Sequence, residues 1–399
     1  MVKPKIKCRP EDFVVREQAS LPIKKQGEFG VYVLEKRGWN TVDALREIAK
    51  SLHLKPADVA YGGKKDRYGL TRQWITLRHS RVQTLHKPNF HLEFVGFADQ
   101  PMAPAFIESN HFEIVIRKLT PDEAQKALEN LPAMEKNGIP NYFDDQRFGS
   151  YDPEQGFWVE QALKKHFNGA LKTYLTAVHP EDKPEVKTRK RTFGAQWRQW
   201  RTCRDLAVTD FEKAAFGFLL QKSDGFLSVL FTIPREDCSM AISAFQSHLW
   251  NETLRRYLES RKFSAWLSYP GTAGAYRFYA GLSVKDRAEM THKRFPTAAG
   301  KMLWEDQTAQ KIYLDLLGTL GLHPGLFGRF PLRQAFFKST PRPVLVFPQA
   351  LCARRGEDEL YPGKTKIELA FTLPRGSYAT LLVKRLFAEP LRPREKTQL

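Results

Sequence analysis

The sequence predicts an α+β protein, and three observations carry that prediction. Strand-like alternation fills much of the first 120 residues, a helix start follows directly on it, and strand patterns return near the C-terminus after a long, mostly helical middle.

Taken in order, Phe13, Val14 and Val15 begin a short apolar segment, and residues 30–34 (GVYVL) read as a strand. Asn40 and Thr41 offer caps for a helix with Ala44, Leu45, Ile48, Ala49 and Leu52 on one face. Residues 61–78 (YGGKKDRYGLTRQWITLR) read as a loop entering a strand: Gly62 and Gly63 permit a tight turn with positive φ, and the pattern turns apolar and β-branched after Thr71. Residues 90–97 and 111–116 alternate as strands of one sheet. At Thr120-Pro121-Asp122-Glu123 a Thr cap, a Pro at the first helical position and a Glu placed for a capping box predict a helix. Residues 152–156 read as a linker, and most of the chain from there to about residue 342 reads as helical. Within it, residues 239–260 carry Ile242, Phe245, Leu249 and Leu258 on one stripe, and residues 270–281 read as loop. Residues 344–347 and 367–372 restore strand patterns; if they rejoin the first sheet, the helical middle is an insertion. The tail from Glu389 is Pro-rich and charged and reads as disordered.

Composition narrows the function. With 63 basic and 44 acidic residues the net charge is +19, which favours a polyanionic partner, nucleic acid first. No apolar run approaches the roughly 18 residues of a membrane span, and the N-terminus lacks an apolar signal core, so a cytoplasmic protein is expected. Cys8, Cys203, Cys238 and Cys352 are far apart, which argues against a zinc site or a disulfide framework. Neither H-E-x-x-H nor G-x-S-x-G occurs, no dinucleotide-binding G-x-G-x-x-G stands between a strand and a helix, and Gly363-Lys364-Thr365 has Asp358 where a phosphate loop needs its first glycine.

The candidate chemistry sits in the loop at Asp66, where Lys64, Lys65 and Arg67 surround one acid and would hold it charged while attracting phosphate. A Lys-Lys-Asp-Arg run also suits a solvated turn. Residues 138–149 (GIPNYFDDQRFG) concentrate aromatic and amide groups without strand or helix period; they suit a flat hydrogen-bonding ligand, or equally a buried aromatic turn with Arg147 in an ion pair. Residues 187–204 hold seven basic side chains and no acid, interleaved with Phe193, Trp197 and Trp200. Lys187, Arg189, Lys190, Arg191, Arg198 and Arg201 could follow RNA phosphates while Trp197 stacks on a base. The competing reading is a solvated basic helix with its tryptophans turned inward.

Five stretches together carry a family resemblance: PEDFVVRE (residues 10–17), GGKKDRYGLTRQW (62–74), GIPNYFDDQRFG (138–149), SAFQSHLWN (243–251) and LPRGSYAT (373–380). In this order they resemble the TruD family of pseudouridine synthases. The resemblance implies an α+β catalytic domain with a mixed sheet, formed by residues 1–151 and 343–388 and interrupted by an inserted TruD-specific domain at residues 152–342, the two halves making a V; residues 389–399 are left as the tail. It also implies isomerisation of uridine to pseudouridine at position 13 of tRNA, by a monomer needing no cofactor, nucleotide or metal. One aspartate is essential, attacking the substrate covalently or taking a ribose proton, and Asp66 matches it. Lys65 is its expected electrostatic partner. The base must be everted to reach Asp66. Phe13, Phe143 and Tyr378 are the expected aromatic pocket, and Asn141 is expected to bond the base or hold its loop. Phe13 also reads as an ordinary core residue at a strand start, and Tyr378 as a core tyrosine where relatives often have Phe. The helical middle departs most from the family, which puts substrate choice in doubt. The same isomerisation at another RNA site, or RNA binding and tRNA folding without catalysis, are the alternatives.

Overall fold

The computed structural model describes residues 4–78, 84–179 and 181–391. It divides into two compact units, Met1–Ile139 with Val346–Glu389, and Pro140–Leu345 with Pro390–Leu399. The division falls before Pro140, not at Tyr151, so the aromatic loop from Pro140 belongs to the second unit. Of the tail, residues 392–399 lie outside the described residues.

The first unit is built on one nine-stranded sheet. Its strands are β1 (Phe13–Ala19), β2 (Phe29–Arg37), β3 (Val59–Tyr61), β4 (Leu70–Arg78), β5 (Leu85–Lys87), β6 (Phe90–Ala98), β7 (Ile107–Leu119), β8 (Gln349–Glu357) and β9 (Thr365–Pro374). They lie in the order β8-β9-β7-β1-β4-β2-β6-β5, with β3 also on β4. β1 and β4 run parallel while the other pairs are antiparallel, so the sheet is mixed. Period-two burial explains β9: Ile367, Leu369, Phe371 and Leu373 are buried while the residues between are half-exposed. In register, Ile367 faces Ile116, Leu369 faces Ile114 and Phe371 faces Phe112 of β7, and each such burial stabilises by about 1.5–3 kcal/mol.

The C-terminal strands do return to the first sheet, though not as the pattern suggested. Leu345–Val346 is a two-residue strand paired with Ile139–Pro140, whereas β8, which joins the sheet edge, is exposed or half-exposed at every position. Helix Thr41–Ser51 is capped by the Asn40 side chain, and Pro121–Glu129 by the reciprocal Thr120/Glu123 box. Arg117 on β7, almost fully buried, grips Asp12 through two nitrogens (2.9 and 2.7 Å), Asp358 (2.9 Å) and Glu359 (2.8 Å). Burial raises the pKa of Asp358, but N–H donors from Lys118 and Leu360 and the Arg117 guanidinium outweigh it and hold the carboxyl low.

The second unit is mainly helical, and helix Arg235–Glu259 runs through its core with Ile242, Phe245, Leu249, Trp250, Leu254 and Leu258 buried. Residues 270–281 are not all loop: Tyr276–Tyr279 pairs antiparallel with Trp266–Tyr269. Among the described residues no helix is long and apolar enough to cross a membrane, and no group of three or more His, Cys, Asp or Glu could hold a metal ion.

Candidate active site

The Asp66 loop hangs between β3 and β4 and is fastened from below by buried polar side chains. Thr41, fully buried at its helix start, accepts the N–H of Lys65 (3.0 Å) and donates to Gln73 Oε1 (3.2 Å). Gln73, equally buried on β4, uses its amide nitrogen on the Gly63 carbonyl (3.2 Å). Glu17 on β1 accepts the Trp74 N–H (3.1 Å) and pairs with the Lys65 ammonium, and its own carbonyl accepts from the Trp74 indole (3.2 Å). The residues of two sequence motifs thus meet to brace one loop, satisfying donors that burial would otherwise leave costly.

Asp66 itself is 15% exposed. One carboxylate oxygen pairs with the Lys7 ammonium and the other accepts the Tyr68 N–H at 2.9 Å. Lys7 was not among the cations expected around this acid; it arrives from the N-terminal segment, at φ +62°, a conformation costing a lysine about 1–2 kcal/mol. Lys65, expected as the partner, instead turns to Glu17 and to Asn110 (2.8 Å). Beneath the loop lies a second unexpected cation, Lys36 on β2, whose ammonium donates to the carbonyls of Asp66 (2.6 Å) and Trp39 (2.8 Å). Burial drives its pKa down to about 8, against the pull of Asp66 and with the push of Lys65.

Neither Gly62 nor Gly63 adopts positive φ, contrary to expectation. Space is what Gly62 supplies, since a Cβ there would lie 2.5 Å from Ile107 Cδ1. Phe13 is only 4% exposed, edge-on to Phe112, with Lys7 Nζ 4.3 Å from its ring centre. It is a core residue capped by the same cation that holds Asp66. Tyr378 is half-buried at the start of helix Ala379–Leu386.

In the second unit, Asn141 is buried and its side chain is spent on the chain itself: Nδ2 donates to the Pro343 carbonyl (3.1 Å) and Oδ1 accepts from Arg342 (2.8 Å). It therefore holds the loop. Asn251 of helix Arg235–Glu259 clamps Phe143 at both backbone groups, accepting its N–H and donating to its carbonyl, each at 2.8 Å. The Phe143 ring stands edge-on to Trp250, with the Arg342 guanidinium 4.0 Å from its centre.

The basic-aromatic segment resolves into helices Pro184–Ala195 and Trp200–Leu206. Phe193 and Trp200 are core residues, and Trp197 packs edge-on to Trp200 while its indole donates to Asn168 (2.8 Å). The tryptophans turn inward, because two helices of this length need an apolar side to dock. Arg189 pairs with Glu212, Lys190 with Asp182 and Arg198 with Asp224, and Lys187 is half-buried. Arg191 and Arg201 are exposed.

One shielded acid, its carboxylate paired with Lys7 and its carbonyl held by Lys36, stands on a loop braced by buried polar side chains beside a mixed sheet. A family model for tRNA pseudouridine synthase D (TruD) matches residues 2–267. The tRNA pseudouridine synthase D of Leptospira interrogans is 29% identical over 394 residues, covering 96% of this chain and 95% of the relative. That of Aquifex aeolicus is 26% identical over 399 residues, covering 97% and 99%. The solved structure of the TruD protein of Methanosarcina mazei superposes with a TM-score of 0.72 at 22% identity, over 96% of this chain and 93% of that one. The chain belongs to the TruD family of tRNA pseudouridine synthases, which are isomerases acting on uridine.

Proposed function

We propose that this enzyme converts uridine 13 of tRNA to pseudouridine, with Asp66 as the essential acid. The reaction breaks the bond from ribose C1′ to uracil N1, turns the base, and forms the bond from C1′ to C5, with one proton leaving C5 and one taken up at N1. No electrons enter or leave. The carrying observation is the Asp66 carboxylate, mostly shielded and fixed by Lys7 and the Tyr68 N–H on a braced loop.

A stacked uridine is everted to meet that carboxylate, at a cost of a few kcal/mol, and aromatic contact offsets part of it. Tyr378, in the same unit as Asp66, is the ring we assign to the base; Phe13 becomes available to it only when Lys7 leaves its ring. Lys7 is then the group that must exchange its Asp66 partner as substrate enters. Arg191 and Arg201 follow RNA phosphates.

Asp66→Asn keeps the shape of the side chain and removes its charge. It should bind tRNA as the wild type does and form no pseudouridine. Retained turnover would reject the assignment. Mapping pseudouridine in RNA from cells lacking the gene tests the position, which should be tRNA residue 13 and not another site.

A further inference from the structure

The frame around Asp66 contains one group that the family reading leaves without a task, the lysine at position 36. Burying a lysine is expensive unless its charge and all its donors are used, and Lys36 is fully buried between the exposed Glu35 and Arg37 on a strand whose other buried positions, residues 30–34, are apolar or tyrosine. Its ammonium does not touch a carboxylate. It donates to two backbone carbonyls, those of Trp39 and Asp66, that close the two loops flanking the β2–β4 pair. We propose that Lys36 is a positioning residue for the isomerisation: it fixes the peptide from which the Asp66 side chain projects and supplies a positive charge beneath the acid. This rests on Asp66 being the essential acid.

The alternative tasks are excluded by geometry. Lys36 cannot act as a base on substrate, because its nitrogen is directed at main-chain oxygens and its side chain is inaccessible. The other charged groups of the site are already engaged: Asp66 with Lys7 from the N-terminal segment, and Lys65 with Glu17 on β1. Charge-assisted hydrogen bonds are roughly twice as strong as neutral ones, so the hold on Asp66 weakens when the ammonium loses its proton. That loss falls near pH 8 in the folded chain, inside the working range of an assay. The sign for stability is opposite. The folded value of about 8 lies below the ordinary 10.5, so between these values the unfolded chain binds more protons and stability from this group rises with pH. Turnover therefore falls in a window where this group does not loosen the fold.

The test is single-turnover pseudouridine formation on saturating tRNA, followed from neutral to alkaline pH, with the full-length wild type, Lys36→Met, Lys36→Arg and Asp66→Asn. The wild-type rate should decline through pH about 8 while its urea midpoint does not. Lys36→Met should lose about 100-fold in the rate of the chemical step, as expected for a reacting group displaced by an ångström, with tRNA affinity unchanged and no alkaline decline. Lys36→Arg keeps the charge and should recover part of the rate without the decline. A flat wild-type profile overturns the proposal without recourse to any variant. So does a Lys36→Met enzyme that is fully active, or one whose residual rate keeps the wild-type decline. An active Asp66→Asn would remove the functional reading and the role of Lys36 with it, whereas inactive Asp66→Asn beside active Lys36→Met removes the role of Lys36 alone.

Discussion

At the residue scale, the loop around Asp66 shows which demands sequence reveals. The loop that carries the acid was legible because glycines, cations and a following strand are local signals, whereas a catalytic role for the acid was read only from the family resemblance. Its partners were not: Lys7 and Lys36 lie 59 and 30 residues from Asp66, and a lysine in a strand reads as a solvent-facing position unless the pairing is known. The glycines sharpen the point. A Cβ at Gly69 would lie 2.4 Å from the Phe13 carbonyl oxygen, a backbone atom that cannot step aside, whereas a Cβ at Gly63 meets nothing within 4 Å. Gly69→Ala should therefore displace the loop and cut turnover by about 100-fold, while Gly63→Ala should cost well under tenfold. Rates from both proteins at equal tRNA saturation check this; equal losses would show that conformational freedom, not room, is what the loop needs.

At the element scale, periodicity located the strands that bury one face and the helix through the second unit's core. It missed β8, whose edge position leaves no face buried to alternate, and it left the tryptophans of residues 187–204 open between two readings because composition does not say which side of a short helix faces inward. Helix Arg235–Glu259 carries a further consequence through Asn251. Replacing Asn251 with Ala removes both 2.8 Å bonds to the Phe143 backbone, whose carbonyl still accepts from the Tyr276 hydroxyl (3.3 Å), and should cost about 1–3 kcal/mol in a urea melt. Asn251→Asp keeps the acceptor but turns a carboxylate oxygen toward the Phe143 carbonyl in a buried site, and should melt below Ala. If the two variants melt alike, the clamp on Phe143 does not act through these bonds.

At the scale of the whole molecule, the excess of positive charge was plain from composition, yet much of the basic segment is neutralised by its own neighbours. Arg191 and Arg201 are the positions where reversal to Glu should matter. Each lost phosphate contact should flatten the dependence of log affinity on log salt by about 0.7–0.9, measured by filter binding of tRNA across a salt series. An unchanged slope would place the phosphate track elsewhere. The sheet adds a consequence for biosynthesis. β7 is flanked by β1 on one side and by β9 on the other, and Arg117 needs carboxylates from both Asp12 and Asp358. While the ribosome is still making the middle of the chain, β7 has only its N-terminal neighbour, and Asp358 emerges 241 positions after Arg117. The main stretch of the second unit, Pro140–Leu345, can condense during that wait, so an early stop codon near the end should yield an ordered helical body and an unfinished, exposed sheet edge, a target for proteolysis.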